Sequence, residues 1–553
     1  MFKPSPSSYQ HDLFSSNHQL LSGKSLTQYE DDQAWHNVFR REVTMGINET
    51  LFKPLYSSSQ GSPNASIRVM VAMMVLKEAQ GLSDEKLFED CRFNALTRSA
   101  LGLHKVDDPL PTESTYYLFR KQVADYAQSN KVNLFDEVFT QISKEQSLAF
   151  QVSGKRVRMD SKLLGSNIAW LSRYELVHET VRLFYKVIKK SPLLSATTAT
   201  QLDELLKLKG NKVVYTLEPK EVKDRLSHLG ELIAQLLVLF SDDSSKAYTT
   251  LKQVFREQFE VTGQKVVLRK NEEISAKTIQ SPHDTDADYR NKDGTKIKGY
   301  SINVTESCDD DQDLNLIGSV DVKTASTADV DFFENGIRQA EEVFVDEVED
   351  AHADGAYHST ENQQFCTDHD IDLHLHAIQG ARSRYQLNPS EAGNDIVSVV
   401  DTQTNVEKQV TKFKGRDGSE KWRIKTEAGT YRYFTQKDID TATIRKKIAE
   451  TSTEILQKRN NVEATIFQLA YHYANSKSRY RSLNRHQMWA NMRCLWMNFV
   501  RILNYLQREG QKVAAYLKNS IGFLLDLLFM EPLGQFWKRR FVFCSRIHLQ
   551  RYV

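Results

Sequence analysis

Cysteine is scarce: five residues in 553 (Cys91, Cys308, Cys366, Cys494 and Cys544), with no Cys-x-x-Cys pair. That excludes a disulfide framework and a cysteine zinc site, and suits a reducing compartment. Long apolar runs are also missing. The nearest candidate, Ile521 to Met530, is short and interrupted by Asp526, so it reads as a core or interface helix and no membrane partner is expected. The start, Met1-Phe-Lys-Pro-Ser-Pro-Ser-Ser8, has no apolar signal core, and the expected location is the cytoplasm. There is no internal repeat. Net charge is nearly absent as well, 73 basic against 72 acidic residues, so bulk composition says nothing of a polyanionic partner. A calcium loop is excluded in detail: Asp284-Thr-Asp-Ala-Asp288 begins like one, but Tyr289 stands where glycine is required and Thr295 where the bidentate glutamate belongs.

What is present is a chain long enough for two to four domains, with 40% hydrophobic residues and 10% aromatics to build cores. The charge is unevenly spread. Residues 441–553 carry 19 Lys and Arg against 6 Asp and Glu, and residues 1–440 carry 54 against 66. A basic end beside an acidic remainder fits one surface meeting a polyanion, and fits solvated helix faces equally well on charge alone. Histidines crowd at His352, His358, His369, His374 and His376. No two form a helical i, i+4 pair in a zinc-binding context, so the cluster reads as ordinary structure, with His352 or His358 lining a site.

In chain order, residues 1–60 form a polar arm. Residues 61–150 are helix-patterned: Ile67, Met70, Val71, Met74 and Val75 recur at helical spacing, Gly81 is a stop, Ser83 an N-cap, and Thr112 opens a further helix. This fits a helix-turn-helix-like DNA-binding unit, and periodicity alone fits plain helical packing equally. Lys155-Arg-Val-Arg-Met-Asp160 reads as the first strand of a domain spanning 151–510. A helical insertion follows at about 169–260, then strands at Lys265, Gly299–Thr305 and Leu316–Lys323, a helix from Asp329 to Val343, and a strand leading to Asp354. A β excursion at about 380–437 precedes long helices, and 511–553 is a helical tail. The fold class expected is α+β, or mixed α/β.

Two acids stand at strand ends, Asp160 and Asp354 in Val345-Asp-Glu-Val-Glu-Asp-Ala-His-Ala-Asp-Gly-Ala-Tyr357; a third, Glu463, lies on a patterned helix. Asp354 follows Asp160 by 194 residues and Glu463 follows by another 109, so only the fold can join them. Three carboxylates can hold two divalent ions about 4 Å apart, which activate a water or 3′-hydroxyl and stabilise the leaving oxygen in attack on phosphorus. Magnesium, which prefers oxygen ligands and keeps several waters, suits so small a set. With 72 acids in the chain, spacing alone selects none of them.

Their surroundings do select. Asp160-Ser-Lys-Leu-Leu-Gly-Ser-Asn167, Ser281-Pro-His-Asp-Thr-Asp-Ala-Asp288 followed by Lys298-Gly-Tyr300, Ala353-Asp-Gly-Ala-Tyr357 and Arg459-Asn-Asn-Val-Glu463-Ala-Thr-Ile-Phe467 occur in one order. This series, over most of residues 60–505, resembles the DDE transposases of bacterial insertion sequences. The resemblance implies a ribonuclease-H-like core, with Asp160 bridging two Mg²⁺ ions (Mn²⁺ substituting), Asp354 and Glu463 each completing one, and Arg459 holding a phosphate. It also implies cleavage and strand transfer at terminal inverted repeats of double-stranded DNA, and a homodimer in the synaptic complex. Two positions depart from the glutamate signature of relatives: Leu456 replaces a tyrosine and Ala470 a lysine, with Tyr471 and Lys477 nearby.

Lys477, Arg479, Arg481 and Arg485 form a basic run interleaved with Tyr471, Tyr473 and Tyr480. Cations give sequence-independent phosphate affinity and aromatics stack on unpaired bases, so the run is a DNA-binding candidate beside a solvated-face reading. Two other functions stay open: an inactive DNA-binding regulator derived from a transposase, which three intact acids disfavour, and a metal-dependent nuclease without strand transfer.

Overall fold

The computed structural model describes residues 1–5, 20–105, 107–263, 265–292, 294–377, 383–390, 393–415, 418–452, 455, 457–458 and 460–528, with the backbone alone at 460, 474 and 513–528. Helices come first: α1 (Gly23–Glu30), α2 (Trp35–Phe39), α3 (Ile67–Gln80), α4 (Asp84–Phe93), α5 (Ala95–Ala100), α6 (Glu113–Asn130) and α7 (Leu134–Phe150). Side-chain caps set their starts. Ser66, Ser83 and Thr112 each accept the backbone N–H three residues on, satisfying a donor that the first turn leaves orphaned. Helix α3 ends at Gly81 in the left-handed region, φ +65°. It is buried on every side from Val69 to Ala79, as a central helix rather than a surface one.

Strand β1 (Arg156–Gly165) follows. Five helices come next, α8 (Arg173–Ile188), α9 (Ala196–Leu206), α10 (Gly210–Thr216), α11 (Pro219–Leu239) and α12 (Lys246–Gln258), with the hairpin β2 (Phe259–Thr262) and β3 (Lys265–Leu268). They enclose a core of their own around Val177, Phe184, Leu229, Ile233, Leu251 and Phe259.

The main sheet resumes with β4 (Asp288–Lys292), β5 (Thr295–Ser307) and β6 (Ile317–Thr324), then α13 (Phe333–Val343), β7 (Asp350–Ala353), α14 (Thr360–Asp368) and β8 (Asp372–Leu375). Its order is β4-β5-β1-β7-β8, with β6 also on β5. β1, β5 and β6 pair antiparallel, whereas β7 and β8 lie parallel to β1 and to each other. Covered on both faces, β7 has three of its four residues buried, as parallel strands require. One face packs on α13 through Val157, Met159, Ala351 and Leu373. The other, through Leu164, Tyr300, Ile302 and Val304, joins a core shared with α3, α6, α7 and the late helices. The N-terminal helices therefore share one core with the sheet, and residue 150 marks no break in packing.

Between β8 and the late helices lie two three-stranded sheets, β9 (Tyr385–Pro389), β10 (Ile396–Asp401) and β11 (Val406–Lys408), then β12 (Thr411–Lys414), β13 (Glu420–Lys425) and β14 (Tyr431–Phe434). They close on Val399, Trp422, Ile424 and Phe434. Helices α15 (Gln436–Glu450), α16 (Asn460–Leu469) and α17 (Leu483–Leu528) complete the described chain. No described helix is long and apolar enough to cross a membrane. The chain is thus mixed α/β with several sheets.

Candidate active site

The site begins with strand register. β1 and β7 pair Arg156 with Asp350, Val157 with Ala351 and Arg158 with His352, a constant offset of 194 residues. Asp160 and Asp354 differ by the same 194, and Asp354 keeps extended backbone (φ −72°, ψ 156°) just past the end of β7. The two aspartates thus occupy neighbouring lines of one sheet face, whose strands are about 4.8 Å apart. The amide of Ser161 donates to Asp160 Oδ1 at 2.8 Å. Both acids are half-buried, open enough for solvent and substrate to reach.

Helix α16 brings Glu463 across β1. Its inner side is Val462, Thr465, Ile466 and Leu469, and Glu463 lies exposed on one flank. A buried ionic network fixes the helix. Glu306 of β5, fully buried, accepts from Arg158 Nε at 2.6 Å, Arg501 Nη2 at 2.5 Å and Thr465 Oγ1 at 2.8 Å. Arg158 also donates to the Lys458 carbonyl at 3.0 Å, next to α16. Burial would raise the Glu306 pKa, but the two guanidinium groups outweigh it and hold the group below its ordinary value. Sequence reasoning missed this network, because Glu306 is one acid of 72 and carries no local signal.

Among the described residues, the trio of Asp, Glu, His or Cys side chains whose ligand atoms close to within 4.8 Å is Asp350, Asp372 and His374, not Asp160, Asp354 and Glu463. The three expected acids share one face and one adjoining helix without forming so tight a cluster.

The aspartates of the Ser281–Asp288 motif hold the far end of β1 together. Asp284 accepts from Tyr300 Oη at 2.7 Å and from Ser166 Oγ, and Asp288 accepts the Ser326 amide at 2.8 Å. Gly299 belongs to the same hub: a Cβ there would lie 2.2 Å from the Leu164 carbonyl oxygen and 2.7 Å from the Ser166 nitrogen. This stretch, in which the sequence excludes a calcium loop, is a buried hydrogen-bonded junction.

The basic run is largely occupied with backbone. Lys477 pairs beside Gly165 of β1, and its Nζ donates to the Ile168 carbonyl at 2.7 Å. Arg481 Nε donates to the Asn167 carbonyl at 2.7 Å. Arg479 reaches the carbonyl of Leu82 at 2.5 Å and Glu78 Oε2 at 3.2 Å, and Tyr480 Oη also donates to Glu78, joining α3 to the late chain. Arg485 is exposed beside Tyr117, Arg120 and Lys121 of α6, lining a cavity of about 220 Å³ with Asp84 and Met488. Of the four cations, Arg479 is committed to bridging helices, whereas Lys477, Arg481 and Arg485 keep exposed surface. Arg459 and Leu456 lie outside the described residues, as does the tail from 529.

Histidine 352 is buried against His374, their rings stacked 17° from parallel at 4.8 Å. Burial, with the nearby His374, pushes its pKa down to about 4. His358 is half-buried with its pKa also lowered by burial.

No curated protein and no solved structure matches the chain. A family model does, over part of it: residues 28–122, from within α1 into α6, match the family described as Transposase domain (DUF772), which supports a transposase.

Proposed function

We propose that the chain is a DDE-type transposase with a ribonuclease-H-like core, which binds the terminal inverted repeats of its element and cuts and joins DNA by two-metal phosphoryl transfer. The observation that carries the reading is the shared offset of 194 residues, which lines Asp160 up with Asp354 on neighbouring parallel strands. The antiparallel β1, β5 and β6, continued by parallel β7 and β8, support the core assignment, and the transposase domain at 28–122 supports the role.

The donor set fits magnesium: hard carboxylate oxygens, half-buried or exposed, with room for the waters that ion retains. When bound, Mg²⁺ supplies activation of the attacking oxygen and neutralisation of the leaving one. Asp160 and Asp354 present oxygens from a rigid sheet, and Glu463 from a helix held by Glu306 and Arg501. Rigid anchoring of this kind lowers the cost of reaching the reactive geometry. Lys477, Arg481 and Arg485 offer exposed cations for backbone phosphates, and Arg459 is assigned one by the resemblance. Protomers pair on DNA as a homodimer, and the compartment is the bacterial cytoplasm.

The test is cleavage of a labelled duplex carrying the inverted repeat, with Mg²⁺ or Mn²⁺, by the wild type, Asp354→Asn and Glu463→Gln. Wild-type cutting at the repeat end, with binding but no cutting by either variant, is the expected result. Repeat binding without cutting by all three would replace this reading with the inactive regulator. Cutting without strand joining would replace it with a nuclease.

A further inference from the structure

On the face that carries Asp160 and Asp354, β7 and β8 each present an Asp-x-His step: Asp350-Ala-His352 and Asp372-Leu-His374. Their parallel register sets Asp350 beside Asp372 and His352 beside His374. Residues two apart share a face, so two carboxylates and two imidazoles stand as a square one step back from Asp354.

The polar atoms are arranged from outside. Arg156 Nε holds Asp350 Oδ2 at 2.9 Å, leaving Oδ1 turned to His374 Nε2 at 2.8 Å. Lys447 Nζ holds Asp372 Oδ1, leaving Oδ2 turned to the same nitrogen at 3.5 Å. Each carboxylate thus has one oxygen fixed by a cation and the other aimed inward, as supporting groups orient metal ligands. His374 Nε2 has a single proton to offer two carboxylates. The second observation is His352, only 3% exposed, whose Nε2 has no hydrogen-bond partner although its ring lies stacked on His374. A buried polar atom left unsatisfied is costly and calls for a partner beside it.

We propose that Asp350, Asp372 and His374, with His352 beside them, form a second metal site, separate from the Asp160, Asp354 and Glu463 set and selective for a borderline transition ion of the Zn²⁺ class. The ligand atoms of Asp350, Asp372 and His374 lie within 4.8 Å of one another, and one imidazole with two carboxylates matches the mixed nitrogen and oxygen preference of Zn²⁺, whereas Mg²⁺ prefers oxygen alone. The site ties the two parallel strands together at the base of the strand that ends in Asp354. It does not depend on the transposase reading, since metal content is measured without DNA.

The experiment is equilibrium dialysis of the full chain against Zn²⁺ and against Co²⁺, read by elemental analysis and by visible Co²⁺ absorption. It uses the wild type, His374→Gln, Asp372→Asn and the triple variant Asp160→Asn, Asp354→Asn, Glu463→Gln. The expected result is one equivalent bound by the wild type and the triple variant, resistant to excess Mg²⁺, and lost in His374→Gln and Asp372→Asn. Thermal melting with and without Zn²⁺ runs alongside: the wild type rises and the two single variants do not respond. Asp372 is 51% exposed at its side chain, so its variant stays folded if His374→Gln does not. Absence of binding to the wild type, or equal binding by Asp372→Asn, would overturn the site and leave an ion-paired histidine. Loss of the ion in the triple variant would assign it to the carboxylate set instead.

Discussion

Glu306 is the side chain on which the candidate site leans hardest. It is fully buried and satisfied by two arginines and a threonine, so removing its charge leaves the buried Arg158 and the partly buried Arg501 without their carboxylate. Breaking such a pair from one side costs about 3–5 kcal/mol, so Glu306→Gln is expected to lose that much in urea denaturation at neutral pH. The pH dependence follows from the depressed pKa. A carboxylate whose folded pKa lies below its ordinary 4.5 contributes stability above that pH and loses it as pH falls through the folded value. The stability gap between wild type and Glu306→Gln should therefore be full at pH 7 and shrink only below the ordinary value of 4.5. A gap unchanged at low pH would mean the network is not ionic. Gly299 makes a second test at this scale. Its absent Cβ leaves room for backbone on the neighbouring strand, which cannot swing aside, so Gly299→Ala should cost about 3 kcal/mol, the upper end for overpacking.

At the scale of elements, helix α16 is the part of the candidate site that depends on packing, since Asp160 and Asp354 are set by sheet register and Glu463 by how the helix lies. Thr465 is the hydroxyl that joins this helix to Glu306 and Arg501. Thr465→Val keeps the shape and deletes the hydrogen bonds, at a cost of about 1–3 kcal/mol. If α16 positions Glu463, this variant should also cut more slowly at saturating DNA while binding it as the wild type does; unchanged cutting would confine Thr465 to stability. The extended runs into Asp160 and Asp354 were legible in the sequence, but their ends were not: β1 continues past Asp160 to Gly165, and β7 stops at Ala353, just before Asp354. The helices after β1 and the β excursion were legible because their apolar periods differ from those around them. The role of the basic run was not. Lys477, Arg479 and Arg481 read as a DNA-binding run beside a solvated-face alternative, and only the fold brings carbonyls of Ile168, Leu82 and Asn167 within reach. The Asp-x-His steps were hidden for a similar reason: a search for helical metal spacing passes over ligands that alternate along strands.

At the scale of the whole molecule, cores divide differently from the sequence-drawn domains. Helices α3, α6 and α7 bury their apolar sides against β5, β6, α16 and α17, and Arg493 ties the carbonyls of Ala79 and Gln468 across that junction. The five helices α8 to α12 and their hairpin instead keep a core to themselves. Their base is closed internally by Arg173, which donates to the carbonyls of Gln258 and Arg269. Outward hydrogen bonds among the described residues include Lys298 to the Leu171 carbonyl, the Tyr289 amide to the Ala276 carbonyl, and His283 to Glu179. A unit that buries its own apolar surface does not need the sheet to fold, and the sheet loses little without it. Replacing residues 172–279 by a short Gly-Ser linker should therefore leave a soluble protein with one cooperative melt, because shortening a connection changes closure entropy only weakly. Cutting the chain after residue 150 should do the opposite. The 1–150 fragment exposes the side of α3 that meets α17, and should show helical circular dichroism without a cooperative transition. Folding of that fragment alone, or aggregation of the linker variant, would reverse this assignment of cores and restore an independent N-terminal module.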